Sequence, residues 1–287
     1  MNGLSEHHKG ILSVLAAALL WSTGGLLIKL ITFNAMQISF FRCFIAAIVF
    51  AMVFKREILA VNLFTFVNAL FYAAVLIFFV LATKKTTAAN AIFLQSTAPI
   101  YVLIFEPIIS KTSYERINII TIVVCFLGML LFFTGKLSPG DLLGNIYALL
   151  AGLAFAAFFL GMRKNKHEFH YNSIFYGNLL VAVICLPFVT SLHSISFSNL
   201  WMVTFLGVFQ IALAYTFFSK GLKRILAIEA SLISLAEPVL NPVWVFIGYG
   251  EVPSAMAIVG GIIIISAITL RTLIVETNIM RRRFKDL

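Results

Sequence analysis

The sequence is poor in charged residues, and acidic residues are especially few. Charged side chains make up 11% of the 287 residues, with 11 Asp and Glu against 21 Lys and Arg. Soluble globular domains carry about 25% charged residues, and disordered chains are poorer in apolar residues than this one. Both classes are therefore excluded. We find no low-complexity tract and no linker that would divide the chain into soluble domains.

Cysteine and histidine are also scarce, which argues against several kinds of chemical site. Each of the three cysteines lies in an apolar segment without a CxxC partner, so we expect small buried side chains and no ligands or disulfides. We expect all five histidines outside the apolar segments. The chain has no H-E-x-x-H, G-x-S-x-G or Walker motif. We therefore predict no enzyme activity, no metal site, no cofactor and no direct use of ATP.

Ten apolar segments fill the chain instead, each about as long as the 20 residues that a helix needs to cross a bilayer. Hydrophobic residues reach 61%, and the mean hydropathy is +1.03. We predict an all-α integral membrane protein with ten transmembrane helices. The predicted helices are Ile11–Leu30, Ala35–Phe54, Asn62–Ala82, Thr86–Ile109, Arg116–Thr134, Leu142–Met162, Tyr171–Thr190, Asn199–Ser219, Leu226–Tyr249 and Pro253–Val275.

The second half of the chain repeats the first. The stretch from Ala82 to Pro99 aligns without a gap with the stretch from Gly221 to Pro238, at a constant offset of 139 residues. Five spans per repeat place the two halves in opposite orientations, so we predict inverted repeats over residues 1–138 and 139–287. Such repeats are typical of secondary transporters, whose binding site lies between the halves near the bilayer midplane.

The basic residues predict the orientation. With the N-terminus inside, 16 Lys and Arg fall in inside segments and 4 in outside segments. This bias places both termini in the cytoplasm, with the protein in the plasma or inner membrane. The basic tail at residues 281–285 is expected to contact anionic lipid headgroups, and nucleic-acid binding is not expected.

Glu237 is the most informative polar residue, because a charge near the centre of a span is costly and usually functional. Pro238 follows it, and the prolines in this helix predict a bend. The acid could carry a proton or contact a substrate ammonium, or it could serve packing alone. On an uninterrupted helix it shares one face with Ser231, Ser234 and Asn241.

Other polar side chains in the spans are weaker candidates. Arg42 could bind a substrate carboxylate through a bidentate fork, pair with an acid, or extend to the membrane surface. Glu106 is expected to be an interfacial acid paired with Lys111 or Arg116. The remaining candidates for substrate binding or coupling are Gln95, Trp21, Tyr101, Asn178, Gln210 and Tyr215.

Several motifs resemble the EamA family of drug/metabolite transporters. They are the opening Gly10–Gly25, Arg42 followed by Ala46-Ala47, Ala227-x-x-Ala230 leading to Glu237-Pro238, Gly250-Glu251, and Gly260-Gly261. The resemblance implies ten helices, a cytoplasmic N-terminus and transport of small metabolites, commonly amino acids and usually outward. The Gly-Glu pair has no acidic counterpart at Lys111-Thr112, so the first half is the more diverged.

These observations favour a secondary transporter that exports amino acids or related small zwitterionic metabolites by alternating access, with protons as a possible coupling ion. One alternative is an uptake or exchange carrier for a cationic or quaternary-ammonium metabolite. A different class, an intramembrane enzyme or a structural membrane subunit, has less support. The expected partners are a small-molecule substrate and the lipid bilayer. The substrate, the direction of transport and the choice between monomer and homodimer stay open.

Overall fold

Helices, most of them α-helices, make up most of the part of the chain that the structure describes. The computed structural model describes residues 5–59, 61–86, 88–111, 115–131, 142–164, 169–191, 196–249 and 255–285. The helices of the first half are α1 Glu6–Ser22, α2 Gly24–Leu30, α3 Ala35–Val53, α4 Leu63–Lys85, α5 Ala88–Gln95, α6 Ala98–Ser110 and α7 Arg116–Leu131. Those of the second half are α8 Leu142–Lys164, α9 His170–Cys185, α10 Phe197–Phe205, α11 Ala214–Leu222, α12 Ala227–Ser234, α13 Ala236–Tyr249 and α14 Ala255–Lys285.

Seven of the described helical segments are long and apolar enough to cross a membrane, and three further apolar helices are shorter. The long segments include α1 with α2, α10 with α11, and α12 with α13, each pair running on as one rod. The shorter helices lie at Ala98–Ile109, Arg116–Gly128 and Ile258–Arg271. Together they occupy the predicted apolar segments, and the chain is a multi-pass membrane protein.

The interruption between α5 and α6 and the one between α12 and α13 lie at matching places in the two halves, and proline explains both. The ring of a proline clashes with the carbonyl four residues earlier. Pro99 lies four residues after Gln95, where α5 ends, and Pro238 lies four residues after Ser234, where α12 ends. An interruption therefore lies at Leu235, in the ninth segment, where the prolines predict a bend. A second one, at Ser96 and Thr97, was not predicted.

Two other irregularities do not involve proline: the break between α1 and α2, and the segment between α10 and α11. The hydroxyls of Ser22 and Thr23 donate to carbonyls three residues earlier, and α1 ends between them. Such local bonds compete with the helical ladder and bend helices. Between α10 and α11, residues Leu206–Leu213 form a π-helix, a winding that is often found at functional sites.

The rods pack so that helices from the first half contact helices from the second. The most extensive contacts join α4 to α8 and α9, α3 to α9, α1 to α11, and α7 to α14. The three cysteines are buried and free. Aromatic and aliphatic side chains of α1, α4, α8 and α11 meet in the centre of the bundle and surround the polar groups considered next.

Candidate functional site

Arg42 lies in the interior on α3 with its side chain fully buried. Its Nη2 donates to the Leu76 carbonyl at 2.9 Å, and its Nη1 donates to Oε1 of Gln210 at 3.4 Å. Its Nε has no hydrogen-bond partner. Within the described ranges no acidic side chain pairs with this guanidinium, and it does not extend to the membrane surface.

Gln210 comes from the π-helical segment, which turns its side chain toward the first rod. Its amide packs directly on Gly24, where an added Cβ would come within 2.7 Å of Nε2. The missing side chain of Gly24 therefore leaves room for the Gln210 amide where α2 begins. The structure brings the predicted site residues Arg42 and Gln210 together.

An aromatic cluster joins α1, α4 and α11 in the centre of the bundle. The Tyr215 ring lies 4.9 Å from the Trp21 ring and 4.6 Å from the Tyr72 ring, measured between centroids. The Tyr72 hydroxyl accepts a hydrogen bond from Nδ2 of Asn178 at 3.2 Å. Two polar atoms in this region, Nε1 of Trp21 and Oδ1 of Asn178, have no hydrogen-bond partner. They are available to a ligand if the cluster opens.

Glu237 lies in the first turn of α13 and is 7% exposed. It borders a cavity of about 20 Å³, which is room for roughly one water molecule. No hydrogen bond or ion pair to its carboxylate is found among the described residues. Oε1 of Gln95, across the cavity, is likewise without a partner. The other polar residues bordering this cavity are Ser96, Ser231 and Ser234.

Arg42 adjoins the aromatic cluster on α4, because the Leu76 carbonyl that accepts from its Nη2 lies one helical turn after Tyr72. The cluster in turn adjoins the Glu237 cavity, because Phe155 borders that cavity and its ring lies 5.6 Å from that of Trp21. The site therefore combines a cationic group, an acidic group and aromatic rings that connect their surroundings.

Two predicted site residues lie elsewhere. Asn241 donates through Nδ2 to the Ser22 carbonyl at 2.8 Å and packs on Gly25, so it ties α13 to the first rod. It does not border the Glu237 cavity, because the interruption at Leu235 breaks the regular helical periodicity on which the predicted stripe depends. Tyr101 lines a separate cleft between α4, α6 and α8.

A buried polar network lies at the end of the bundle where α1 and α12 begin and α6 ends. We call this the entry end. Arg271 donates through Nη1 to Oε1 of Glu229 at 2.9 Å and through Nε to Oδ1 of Asn118 at 3.0 Å. The same Glu229 oxygen lies 2.8 Å from Nε2 of His7. The network joins α1, α7, α12 and α14, and we did not predict it from the sequence.

Glu106 belongs to the same end and corrects our expectation for it. Its two carboxylate oxygens accept the backbone N–H groups of Ala227 and Ile228, at 2.9 and 2.6 Å. It therefore caps the N-terminus of α12, where free N–H groups and the helix dipole favour an anion. The expected pairing with Lys111 or Arg116 is not found in the described part of the chain.

At the opposite end of the bundle, two lysines connect α2 and α4 reciprocally. Nζ of Lys29, in the last turn of α2, donates to the Thr86 carbonyl at 2.8 Å. Nζ of Lys84, in the last turn of α4, donates to the Ile31 carbonyl at 2.6 Å. Each lysine thus satisfies a carbonyl at the other helix's C-terminus. Hydrogen bonds therefore tie the rods together at both ends of the bundle.

His170 is buried at the start of α9, and its Nδ1 lies 3.3 Å from the Ser219 hydroxyl. Within the described ranges no three His, Cys, Asp or Glu side chains are grouped to hold a metal ion. The Gly250-Glu251 motif and Ser194 lie outside the described residues.

Comparison with known proteins relates the chain to uncharacterized transporters. One from Clostridium kluyveri is 25% identical over 183 residues, or 59% of this chain and 58% of the relative. One from Archaeoglobus fulgidus is 25% identical over 60% of this chain and 63% of the relative. The Bacillus subtilis uncharacterized transporter YxxF is 27% identical over 60% and 58%. The matched parts thus cover less than two thirds of these relatives.

Two further comparisons cover nearly the whole chain, one for the fold and one for the family. A solved crystal structure superimposes with a TM-score of 0.78, covering 93% of this chain and 97% of that chain at 17% identity, which shows a common fold. The model of the EamA-like transporter family matches twice, over residues 8–134 and 142–273. Since the two matches together span nearly the whole sequence, the chain belongs to the EamA-like transporter family.

Proposed function

We propose that this protein is a secondary transporter of small zwitterionic metabolites, amino acids or close relatives, and that it exports them by alternating access. The observation that carries the proposal is the pair Arg42 and Glu237. Both are buried, Arg42 is a cation and Glu237 an acid that can ionise, and neither has a charged partner among the described residues. A buried charge without a partner is costly, so a ligand carboxylate would compensate Arg42 and a ligand ammonium would allow Glu237 to release its proton.

The free polar atoms support one orientation of such a ligand. A substrate carboxylate would accept from Arg42, whose Nε is free and whose planar fork suits that group. A substrate ammonium would lie against Glu237. The side chain of the substrate would then displace part of the aromatic cluster at Trp21 and Tyr215. Binding therefore requires the cluster to open.

We further propose ten membrane crossings arranged as two inverted repeats. The seven long and three short apolar helices support this number, and the double match to the family model supports two related halves. The matching interruptions after Gln95 and Ser234 add a shared structural detail at the offset of 139 residues. The bias of the basic residues supports a cytoplasmic location for the entry end, following the positive-inside rule. The plasma or inner membrane is the proposed location.

Closure at both ends supports an alternating-access cycle. The Glu229–Arg271 network would have to break for the site to open to the cytoplasm, and the Lys29 and Lys84 bonds for it to open outward. A proton on Glu237 is a natural partner for such a cycle, because a carboxyl group that releases its proton can take up an ammonium in exchange. Protons are therefore the proposed coupling ion.

A cation carrier is the second candidate. Aromatic faces attract ammonium and quaternary ammonium groups, and Phe155 and Phe159 border the same cavity as Glu237. Such a carrier would need Glu237 and the aromatic rings but would leave Arg42 without a role in binding.

A substrate panel in proteoliposomes separates the two candidates. The panel contains free amino acids, their amides without the carboxylate, their N-acetyl derivatives without the ammonium, and choline. Uptake is measured with and without a proton gradient. We expect only the free amino acids to be transported by the wild type, and Arg42→Gln to lose that activity. Transport of amides and choline at least as fast, unaffected by Arg42→Gln, would establish the cation carrier instead.

A further inference from the structure

An open cleft lies on the side of the bundle, between α4, α6 and α8, near the entry end. Its volume is about 300 Å³, and most of its wall is aromatic and aliphatic. It does not include Arg42, Glu237 or the residues around them. The apolar part of the wall is formed by Phe64, Val67, Phe71, Phe105, Ile109 and Leu160.

Asn68 is an unusual member of this apolar wall. Its side chain is 1% exposed, and neither its amide nitrogen nor its amide oxygen has a hydrogen-bond partner. It packs against Gly161 of α8, where an added Cβ would collide with the amide oxygen. A buried amide without partners is costly, so a ligand that supplies an acceptor or a donor here would be favoured.

Lys164 provides a positive charge at the mouth of the same cleft. It is the last residue of α8, and its Nζ lies 5.3 Å from the centre of the Phe64 ring. Phe64 lies in the first turn of α4, and Asn68 lies one helical turn farther in. From mouth to base, the cleft therefore offers a cation, an amide about 5–6 Å deeper, and then apolar surface.

We propose that the cleft binds one anionic phospholipid. The phosphate would lie at Lys164, an ester carbonyl would accept from the Asn68 amide, and an acyl chain would lie along the apolar wall. Phosphate, ester and acyl chain follow one another in a phospholipid in the same order as the matching groups in the cleft. Basic pockets between transmembrane helices on the cytoplasmic side are known to recognise acidic headgroups.

The site is separate from the proposed substrate site. Because α4 and α6 come from the first half of the chain and α8 from the second, a bound lipid would contact both halves. Among the described residues that line the cleft, Lys164 is the charged one, so a zwitterionic phospholipid with the same chains would gain the apolar contacts but lose the charge attraction.

Native mass spectrometry of the purified, detergent-solubilised full chain tests this proposal. Phosphatidylglycerol and phosphatidylcholine with the same acyl chains are titrated separately. We expect wild type to prefer phosphatidylglycerol about five-fold, the factor that corresponds to about 1 kcal/mol for one basic residue near an anionic lipid. Lys164→Gln should remove this preference. Asn68→Leu should weaken binding of both lipids.

Lys220→Gln is the matched control, because Lys220 is an exposed lysine in the last turn of α11 and does not line the cleft. It should leave the preference unchanged. The proposal is overturned if wild type binds both lipids equally, if Lys164→Gln keeps the preference, or if Lys220→Gln reduces it as much. Should Asn68→Leu fail to fold, the comparison of the two lysine variants decides. None of these outcomes affects the transport proposal, which rests on other residues.

Discussion

Arg271 and Glu229 form a buried ion pair that joins α14 to α12, with 2.9 Å between Nη1 and Oε1. Both side chains are about 5% exposed or less, so water screens the pair weakly. Removing one partner of such a pair leaves the other charge buried and uncompensated, which typically costs about 3–5 kcal/mol. We therefore expect Glu229→Gln to destabilise the protein by roughly that amount in a denaturant titration of the purified protein.

The double variant Glu229→Gln/Arg271→Gln should recover part of this loss, because it leaves no unpaired charge. Glu6→Gln is the control. It removes an ion pair with Arg224 at the same end, but the Glu6 side chain is 66% exposed, and the stability should hardly change. Equal effects of Glu229→Gln and Glu6→Gln would show that the buried network does not stabilise this end.

Glu106 should stabilise α12 through its two bonds to backbone N–H groups. Glutamine at this position keeps one acceptor but turns an N–H₂ group toward a second donor. We expect Glu106→Gln to lower the free energy of unfolding by about 1–2 kcal/mol, the usual cost of losing a helix cap. Glu115→Gln changes an exposed acid at the start of α7 and should have a much smaller effect. Equal losses in the two variants would contradict the cap.

The distribution of basic residues predicts which loops face the cytoplasm. Single cysteines replacing Ser194 and Asp286 in a background without Cys43, Cys125 and Cys185 test it with a thiol reagent that does not cross membranes. We expect Ser194→Cys to react from the outside of intact cells and Asp286→Cys only after the cells are opened. Labelling of Ser194→Cys only from the cytoplasmic side would exclude the ten-helix arrangement.

The positions of the helices could be predicted from the sequence because apolar runs of about 20 residues are typical of membrane-spanning helices and rare elsewhere. The first helix is predicted to start at Ile11, whereas it begins at Glu6, after the cap residue Ser5. Hydropathy does not report the polar first turn. The interruption after Gln95 could also be predicted from the repeat, since Pro99 matches Pro238, but we expected a bend in the ninth segment alone.

The candidate site was predictable only in part. The serines at 231 and 234 border the same cavity as Glu237, in agreement with the predicted polar face. Asn241 does not, because helical periodicity holds only along an unbroken helix. The partners of Glu106 and Glu229 could not be foreseen, since they are a backbone helix terminus and an arginine on another rod. Tertiary contacts of this kind leave no periodic signal in the sequence.

Arg42 should be sensitive to replacement by lysine if it binds the substrate carboxylate. Lysine keeps the charge but cannot reproduce a planar fork, so we expect amino-acid transport by Arg42→Lys to fall several-fold. Arg42→Gln should lose more, because hydrogen bonds to a charged group contribute about 1.5–3 kcal/mol. Initial rates of uptake into proteoliposomes measure both. Uptake kinetics like those of wild type in both variants would remove Arg42 from the site.

The two possible roles of Glu237 are distinguished by comparing binding with net flux. Glutamine has nearly the same shape but cannot ionise or release a proton. If carrying the coupling proton is the sole role of Glu237, Glu237→Gln should abolish proton-driven net transport and preserve substrate exchange. If it contacts the substrate ammonium, binding and exchange should fall as well.

The most direct test of this mechanism is therefore proton-driven net flux of a transported amino acid by Glu237→Gln, in proteoliposomes between about pH 5.5 and 8, a range that brackets working pH. Equal amounts of inserted wild-type protein serve as the reference. We predict that net flux is lost at every pH in this range. Flux equal to that of wild type throughout would show that the Glu237 carboxylate is structural and would contradict the proposed mechanism.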